Sequence, residues 1–297
     1  MTVSCEEIFE ATGLTAGRES GFSALGLLDS SIDGTLSFAE QEKFLRQAEK
    51  NECIAGIFIT PDVASKVRRR DINLIVCEDA RYSFYTLYNY CATKRYRKTA
   101  SVVHHTAEIH PSAYVAENNV QIGASTRVEA GAIILPDVVI KNDCLIGPGA
   151  VLGCDDAEIK TTSKGNIRVI HDGRLLIGER VDIGANCTVD KGFSYRDTVI
   201  GDDTKVATTT SIGHGAHIGQ NSRLLCCTIL GSSTIGNNVR INPRAVVSNQ
   251  VTVGDDAVIS LGAVVVRPVP EGGHVTGNFA VDHTQFIYEM AKTYGRF

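Results

Sequence analysis

What the chain lacks narrows its class before any motif is read. No apolar stretch approaches the roughly 20 residues that a membrane-spanning helix needs, so no membrane span is expected. The opening Met1-Thr2-Val3-Ser4-Cys5 has neither a basic n-region nor a long apolar core, so no secretory leader is expected. The nine cysteines show no C-x-x-C spacing and read as reduced, mostly buried thiols of a cytoplasmic protein. No block of like charge marks a nucleic-acid tail; the run Lys66 to Arg70 is short and reads as a solvated helix face. No histidine precedes His104, and the H-x4-H spacing occurs once, at His105 and His110. A three-histidine zinc site of the γ-carbonic anhydrase kind therefore has no third ligand, and no metal is expected. What remains is a mildly acidic chain of 297 residues, 43% hydrophobic with net charge −5, with room for one large or two modest domains.

An apolar residue then returns at every sixth position. The series runs Ile122, Val128, Ile134, Ile140, Ile146, Leu152, resumes at Ile177, Ile183, Val189, and again at Ile200, Val206, Ile212, Ile218, Leu224, Leu230. One residue is dropped before it continues at Ile235, Ile241, Val247, Val253, Ile259, Val265. A period of six fits neither a helix nor an ordinary strand; it is the signature of a parallel β-helix. Three hexads close a triangular coil of roughly 18 residues, with the aliphatic residue inward and small residues at tight corners. Most aliphatic positions are scaffold, so function belongs where the period breaks or a polar residue intrudes.

Residues 1–100 lack the hexad and alternate strand and helix signals. Leu36-Ser37-Phe38 closes a strand, Glu40 to Lys50 has helical spacing, and Cys53 to Ile59 is an apolar strand. Pro61 to Arg70 reads as a helix, Ile72 to Cys77 as a strand and Ala80 to Tyr90 as an aromatic-rich helix. The expected organisation is a small α/β domain over 1–100, a β-helix over 101–270, and a C-terminal loop and short helix over 271–297. Two insertions, Gly153 to Leu175 and Lys191 to Asp197, interrupt the coils.

A small α/β domain ahead of hexapeptide coils resembles UDP-3-O-(3-hydroxyacyl)glucosamine N-acyltransferase, the family that adds the amide-linked chain in lipid A synthesis. The resemblance rests on Leu36-Ser37-Phe38 with Lys43-Phe44, Ile109-His110-Pro111-Ser112-Ala113, Ile183-Gly184-Ala185-Asn186 through Gly192, Asp197 to Gly201, Ile212-Gly213-His214 and Arg267-Pro268. It implies a mainly β, left-handed parallel β-helix of hexapeptide repeats. It also implies a homotrimer with sites in the clefts between neighbouring subunits.

The resemblance places a catalytic base at His214 and an oxyanion-stabilising backbone N–H at Gly231. An imidazole with a pKa near 6.5 can take the proton that an amine loses as it attacks a thioester. The family's nucleotide pocket carries over to Phe38, Gln41 and Phe44, where the family has Asn and Tyr at the last two positions; this suits uracil or thymine. The family's carboxylate seven residues before the base is Ala207 here, and its second cleft histidine is Gln250. Asp190, or hydroxyls of Thr208 to Thr210, are the candidates left to orient His214. The tail with Arg267, Gly277 and Asn278 is similar to the loop that borders coenzyme A in hexapeptide sugar N-acetyltransferases. The donor is thus acyl-coenzyme A or a phosphopantetheine thioester on acyl carrier protein, and the acceptor a UDP- or dTDP-linked amino sugar. The Ala207 and Gln250 departures and the short tail tilt the reading toward coenzyme A and a surface polysaccharide. Two rivals stand beside it: a non-catalytic trimeric sugar-nucleotide-binding scaffold, and an O-acyltransferase on the same fold.

Overall fold

The computed structural model describes residues 2–17, 21–277 and 282–294. Its N-terminal part is a four-stranded parallel sheet in the order β1 (Ala24–Leu25), β2 (Thr35–Ala39), β3 (Ile54–Ile59), β4 (Asn73–Val76). The two faces of this sheet bury separate clusters. Leu36, Phe58 and Ile75 pack with α4 (Ala80–Arg95), whereas Ala39, Ile57 and Ile59 pack with Leu45 and Ala48 of α2 (Glu42–Lys50). Period-2 alternation along the strands produces this split.

Three local expectations change here. Helix α1 (Cys5–Thr12) was not foreseen, although Ser4 and Glu7 form a reciprocal capping box and Gly13 closes the helix in the left-handed region. Helix α3 covers only Pro61–Ala64. The carboxylate of Glu49 accepts the backbone N–H of Arg68 and Arg69 (2.5 and 3.1 Å), holding Lys66 to Arg70 as a turn over α2 instead of a helix face. Helix α4 runs past Tyr90 to Arg95, because Lys94 and Arg95 pair with Glu10 and Glu7 of α1 at 3.0 and 2.6 Å.

The hexads build three parallel sheets of eight, eight and nine strands, in which every third strand of the sequence stacks on the last. Every ladder residue named above is buried except Leu230. The inward residue of that strand is Ile229, 0% exposed, while Leu230 faces out. Register confirms the shift: Ile212 pairs with Ile229, which pairs with Val247. The missing residue therefore falls between Leu224 and Ile229, where Cys226 takes a positive φ of 46°, and not after Leu230. At the corners, Asn and Asp hold more than half of the non-glycine residues with positive φ; their short polar side chains tolerate that region best after glycine.

This one-residue deletion has a geometric result. Val189, Ile212, Ile229, Val247 and Val265 stack in one ladder. The residues two positions on, Lys191, His214, Gly231, Asn249 and Arg267, consequently line a single edge of the prism. A strict six-residue count from Leu224 would instead put Ser232 over His214. Both insertions also leave the coils at this edge, one after Leu152 and one after Val189. The middle of the first is an antiparallel hairpin, Ile159–Thr162 with Gly165–Arg168.

Candidate active site

His214 sits at this edge with its side chain 13% exposed. Phe193 and His171 stand edge-on to its ring, with centroids 5.1 and 5.4 Å away. Nδ1 makes no hydrogen bond and has Asp156 Oδ2 at 3.4 Å; Nε2 has Glu158 Oε2 at 3.8 Å. Gly231 lies against the same ring: a Cβ built there would fall 2.5 Å from Nε2 and 2.6 Å from Cε1. The buried Gly231 N–H makes no hydrogen bond to another described residue.

The two insertions and the N-terminal domain wall this site. Asn89 of α4 donates to Arg168 O at 2.8 Å and accepts the Ile170 N–H at 2.9 Å. Asp79, which caps α4, also accepts the Ser163 N–H at 2.6 Å. The Tyr88 hydroxyl donates to Asp172, which in turn accepts the Ser194 N–H at 2.8 Å. Val169 and Phe193 are buried in the same cluster as Phe84 and Tyr88. On the far side of the corner, Arg196 donates to Gly215 O (2.6 Å) and Thr234 Oγ1 (2.9 Å), which pins the turn that carries His214. None of Asp156, Glu158, His171, Phe193 or Arg196 was singled out from the sequence. The available signal was position: both insertions begin on the ladder that carries His214.

Two buried groups titrate abnormally. Burial pushes Asp190 up to about 7, with Asp156 and Asp155 adding to the effect. Burial pulls His171 down to about 4, so its ring, stacked on Phe193 at 4.6 Å with both nitrogens unpartnered, is neutral near pH 7. The signs oppose. Between about pH 4 and 7 the folded state holds the Asp190 proton that the unfolded chain has released, so this group's contribution to stability falls as pH rises. For His171 the unfolded state binds more protons between about pH 4 and 6.5, so its contribution falls as pH drops. Asp190→Asn is expected to gain stability relative to the parent at pH 8 and to lose that advantage at pH 4. Urea unfolding at the two pH values checks this; an equal difference at both would mean that Asp190 is not held protonated by the fold.

The other expected residues are placed as follows. Asp190 makes no hydrogen bond or ion pair with His214. The Thr208 and Thr210 hydroxyls face Cys226 Sγ and Ala207 O, so neither orients the imidazole. Ala207 follows the strand Lys205–Val206 and so lies one corner away from His214 in the coil. Gln250 is exposed, and its N–H donates to Gly231 O at 3.0 Å, which keeps it next to the edge. Phe38 packs on Phe84 and Tyr85 (5.0 and 5.7 Å), whereas Phe44 packs on the opposite face of the sheet with Lys43 over its ring. The two aromatic rings therefore do not stack on each other. Gln41 is exposed at the N-terminus of α2 and makes no capping bond. Arg267 is exposed at the edge, and Gly277 packs so tightly that a Cβ would lie 2.5 Å from Ala263 Cα. Asn278 lies outside the described residues. Among the described residues no group of three or more His, Cys, Asp or Glu is arranged to hold a metal ion, and no helix is long and apolar enough to cross a membrane.

The family model "Bacterial transferase hexapeptide (six repeats)" matches residues 119–154. A UDP-3-O-acylglucosamine N-acyltransferase of Delftia acidovorans is 29% identical over 99% of this chain and 91% of its own length. Its Bordetella pertussis counterpart is 26% identical over 88% of this chain and 82% of its own length. The chain is similar to hexapeptide-repeat acyltransferases along most of its length. A Herminiimonas arsenicoxydans enzyme of the same name is 34% identical, but the match spans 52% of this chain and about half (46%) of that enzyme. Among solved structures, the UDP-N-acetylglucosamine acyltransferases of Campylobacter jejuni (TM-score 0.51, 21% identity, 67% of this chain and 84% of that one) and Francisella novicida (0.50, 22%, 67% and 73%) share the fold. With them the chain is mainly β, a left-handed parallel β-helix.

Proposed function

We propose that the protein transfers an acyl group from a phosphopantetheine thioester to the amine of a UDP-linked acylglucosamine, in lipid A synthesis. The observation that carries this reading is the edge itself, where an imidazole nitrogen lies against a glycine backbone and Arg267 stands three coils further on. In this reading His214 Nε2 takes the proton as the amine attacks the thioester carbonyl. The Gly231 N–H donates to the oxygen that becomes negative in the tetrahedral intermediate. Collapse breaks the C–S bond, and the imidazolium returns its proton to the leaving thiolate. Arg267 and Gly277 border the donor arm. At a strand spacing near 4.8 Å, three coils span about 14 Å, a distance an extended pantetheine arm can bridge.

The N-terminal domain holds the nucleotide, with Phe38, Gln41 and Phe44 at the end of β2 as base contacts and Asp190 and Gln250 toward the sugar. Because Phe38 and Phe44 pack on opposite faces of the sheet, the base is not sandwiched between two parallel rings. A second and third copy complete the cleft, so the active unit is a cytoplasmic homotrimer. The relatives that match over nearly their whole length support the UDP-3-O-acylglucosamine acceptor over a surface-polysaccharide sugar.

The test offers the purified protein UDP- and dTDP-linked amino sugars, UDP-3-O-acylglucosamine among them, each with 3-hydroxyacyl carrier protein or acetyl-coenzyme A. Product masses are then measured. A 3-hydroxyacyl amide formed on UDP-3-O-acylglucosamine from carrier protein is the expected result. A short amide from coenzyme A would move the protein to surface-sugar synthesis. An ester product would make it an O-acyltransferase, and no product from any pair would favour a sugar-nucleotide-binding scaffold.

A further inference from the structure

We propose that Asp156, carried on the first insertion, is the positioning residue for the His214 imidazole and replaces an orienting carboxylate that the coils themselves do not supply. This rests on His214 being the base. The geometry is specific to the insertion. Asp156 Oδ1 accepts the neighbouring Ala157 N–H at 2.6 Å, and this hold turns Oδ2 toward His214 Nδ1 at 3.4 Å. Nδ1 is buried without any hydrogen bond, and a buried ring nitrogen left unpaired is costly, so a short closure onto the adjacent carboxylate is favoured. Fixing the proton on Nδ1 leaves Nε2 as the acceptor nitrogen, and Nε2 is the one that faces Gly231.

The charged and titratable groups facing His214 are Asp156, Glu158 and His171 of the first insertion, while Arg196 of the second binds the next residue's carbonyl. Glu158 serves differently: it is ion-paired with Lys160 and reaches the Nε2 side, where substrate enters. The loop is held from outside the coils, through the Asp79, Arg81 and Asn89 bonds to the hairpin. Docking of the N-terminal domain therefore sets where the carboxylate stands.

The experiment compares Asp156→Asn, Asp156→Glu and His214→Ala in the full-length protein. Asp156→Asn is expected to lower kcat by roughly 10- to 100-fold with KM for the sugar nucleotide unchanged. This is less than for a fully buried orienting aspartate, because Asp156 is half-exposed. Nitrogen-15 NMR of the His214 ring is expected to place the proton on Nδ1 in the parent and to show it shared between the two nitrogens in Asp156→Asn, a readout that does not refer to turnover. Asp156→Glu is expected to recover most of both. An Asp156→Asn ring with its proton still held on Nδ1 overturns the proposal, even if kcat falls. A His214→Ala variant as active as the parent overturns the base assignment instead, and the parent ring spectrum then still reports whether Asp156 holds the Nδ1 proton.

Discussion

His214→Ala is expected to lower kcat by about 10²- to 10⁴-fold, the range for loss of a general base, while thermal unfolding and binding of the sugar nucleotide stay near those of the parent. The reason is the placement of the ring. The inward aliphatic of its strand is Ile212, 0% exposed, and the histidine is two residues further, at the corner. Its removal leaves the coil core untouched. It takes away contacts with Phe193, His171, Gly231 and the insertion carboxylates. Single-turnover assays with a saturating acyl donor, run beside a melting curve, check both halves. A variant with full kcat would end the assignment of His214 as base. One that unfolded early would show that the ring supports the insertions more than the geometry indicates.

Gly231→Ala is expected to cost nearly as much, about 10²- to 10³-fold in kcat, the range for disturbing one oxyanion-hole donor. The glycine does not occupy the left-handed region, so its backbone accepts alanine without strain. The three atoms nearest to the added methyl all belong to the imidazole, the closest at 2.5 Å. The ring has little room to retreat, because Phe193 and His171 flank it. The expected signature is a fall in kcat with an almost unchanged urea midpoint. An active Gly231→Ala enzyme would mean that the imidazole rotates freely and that the glycine is not required for close approach.

Several features of this edge follow from arithmetic on the hexads. Leu152, Val189 and Ile212 each lie on every third strand, so a count of strands in threes brings the two insertions and His214 together. The same count failed at Leu230, because periodicity alone does not say on which side of an apolar pair a deletion falls. Ile229 and Leu230 are both aliphatic, and only the pairing of Ile212 with Ile229 and of Ile229 with Val247 chooses between them. The misassigned helix at Pro61 to Arg70 has a related cause. Its residues suit a helix locally, but Glu49, a residue distant in sequence, captures the backbone N–H groups of Arg68 and Arg69.

What the sequence by itself determined is the scaffold. A six-residue repeat of aliphatics can bury its side chains only by stacking coils, and that requirement places the series from Ile122 to Val265, Leu230 excepted, inward and His214 at a corner, whatever surrounds them. What the tertiary structure alone decided is the surroundings of the imidazole. Asp156, Glu158, His171 and Phe193 sit in polar, aperiodic insertions, where no repeat ties position in sequence to position in space. Their placement is set by hydrogen bonds to Asp79, Tyr88 and Asn89, residues of α4 and its cap some eighty positions earlier. Contacts between segments so far apart leave no periodic trace, so the group that faces His214 became visible only once the chain was folded.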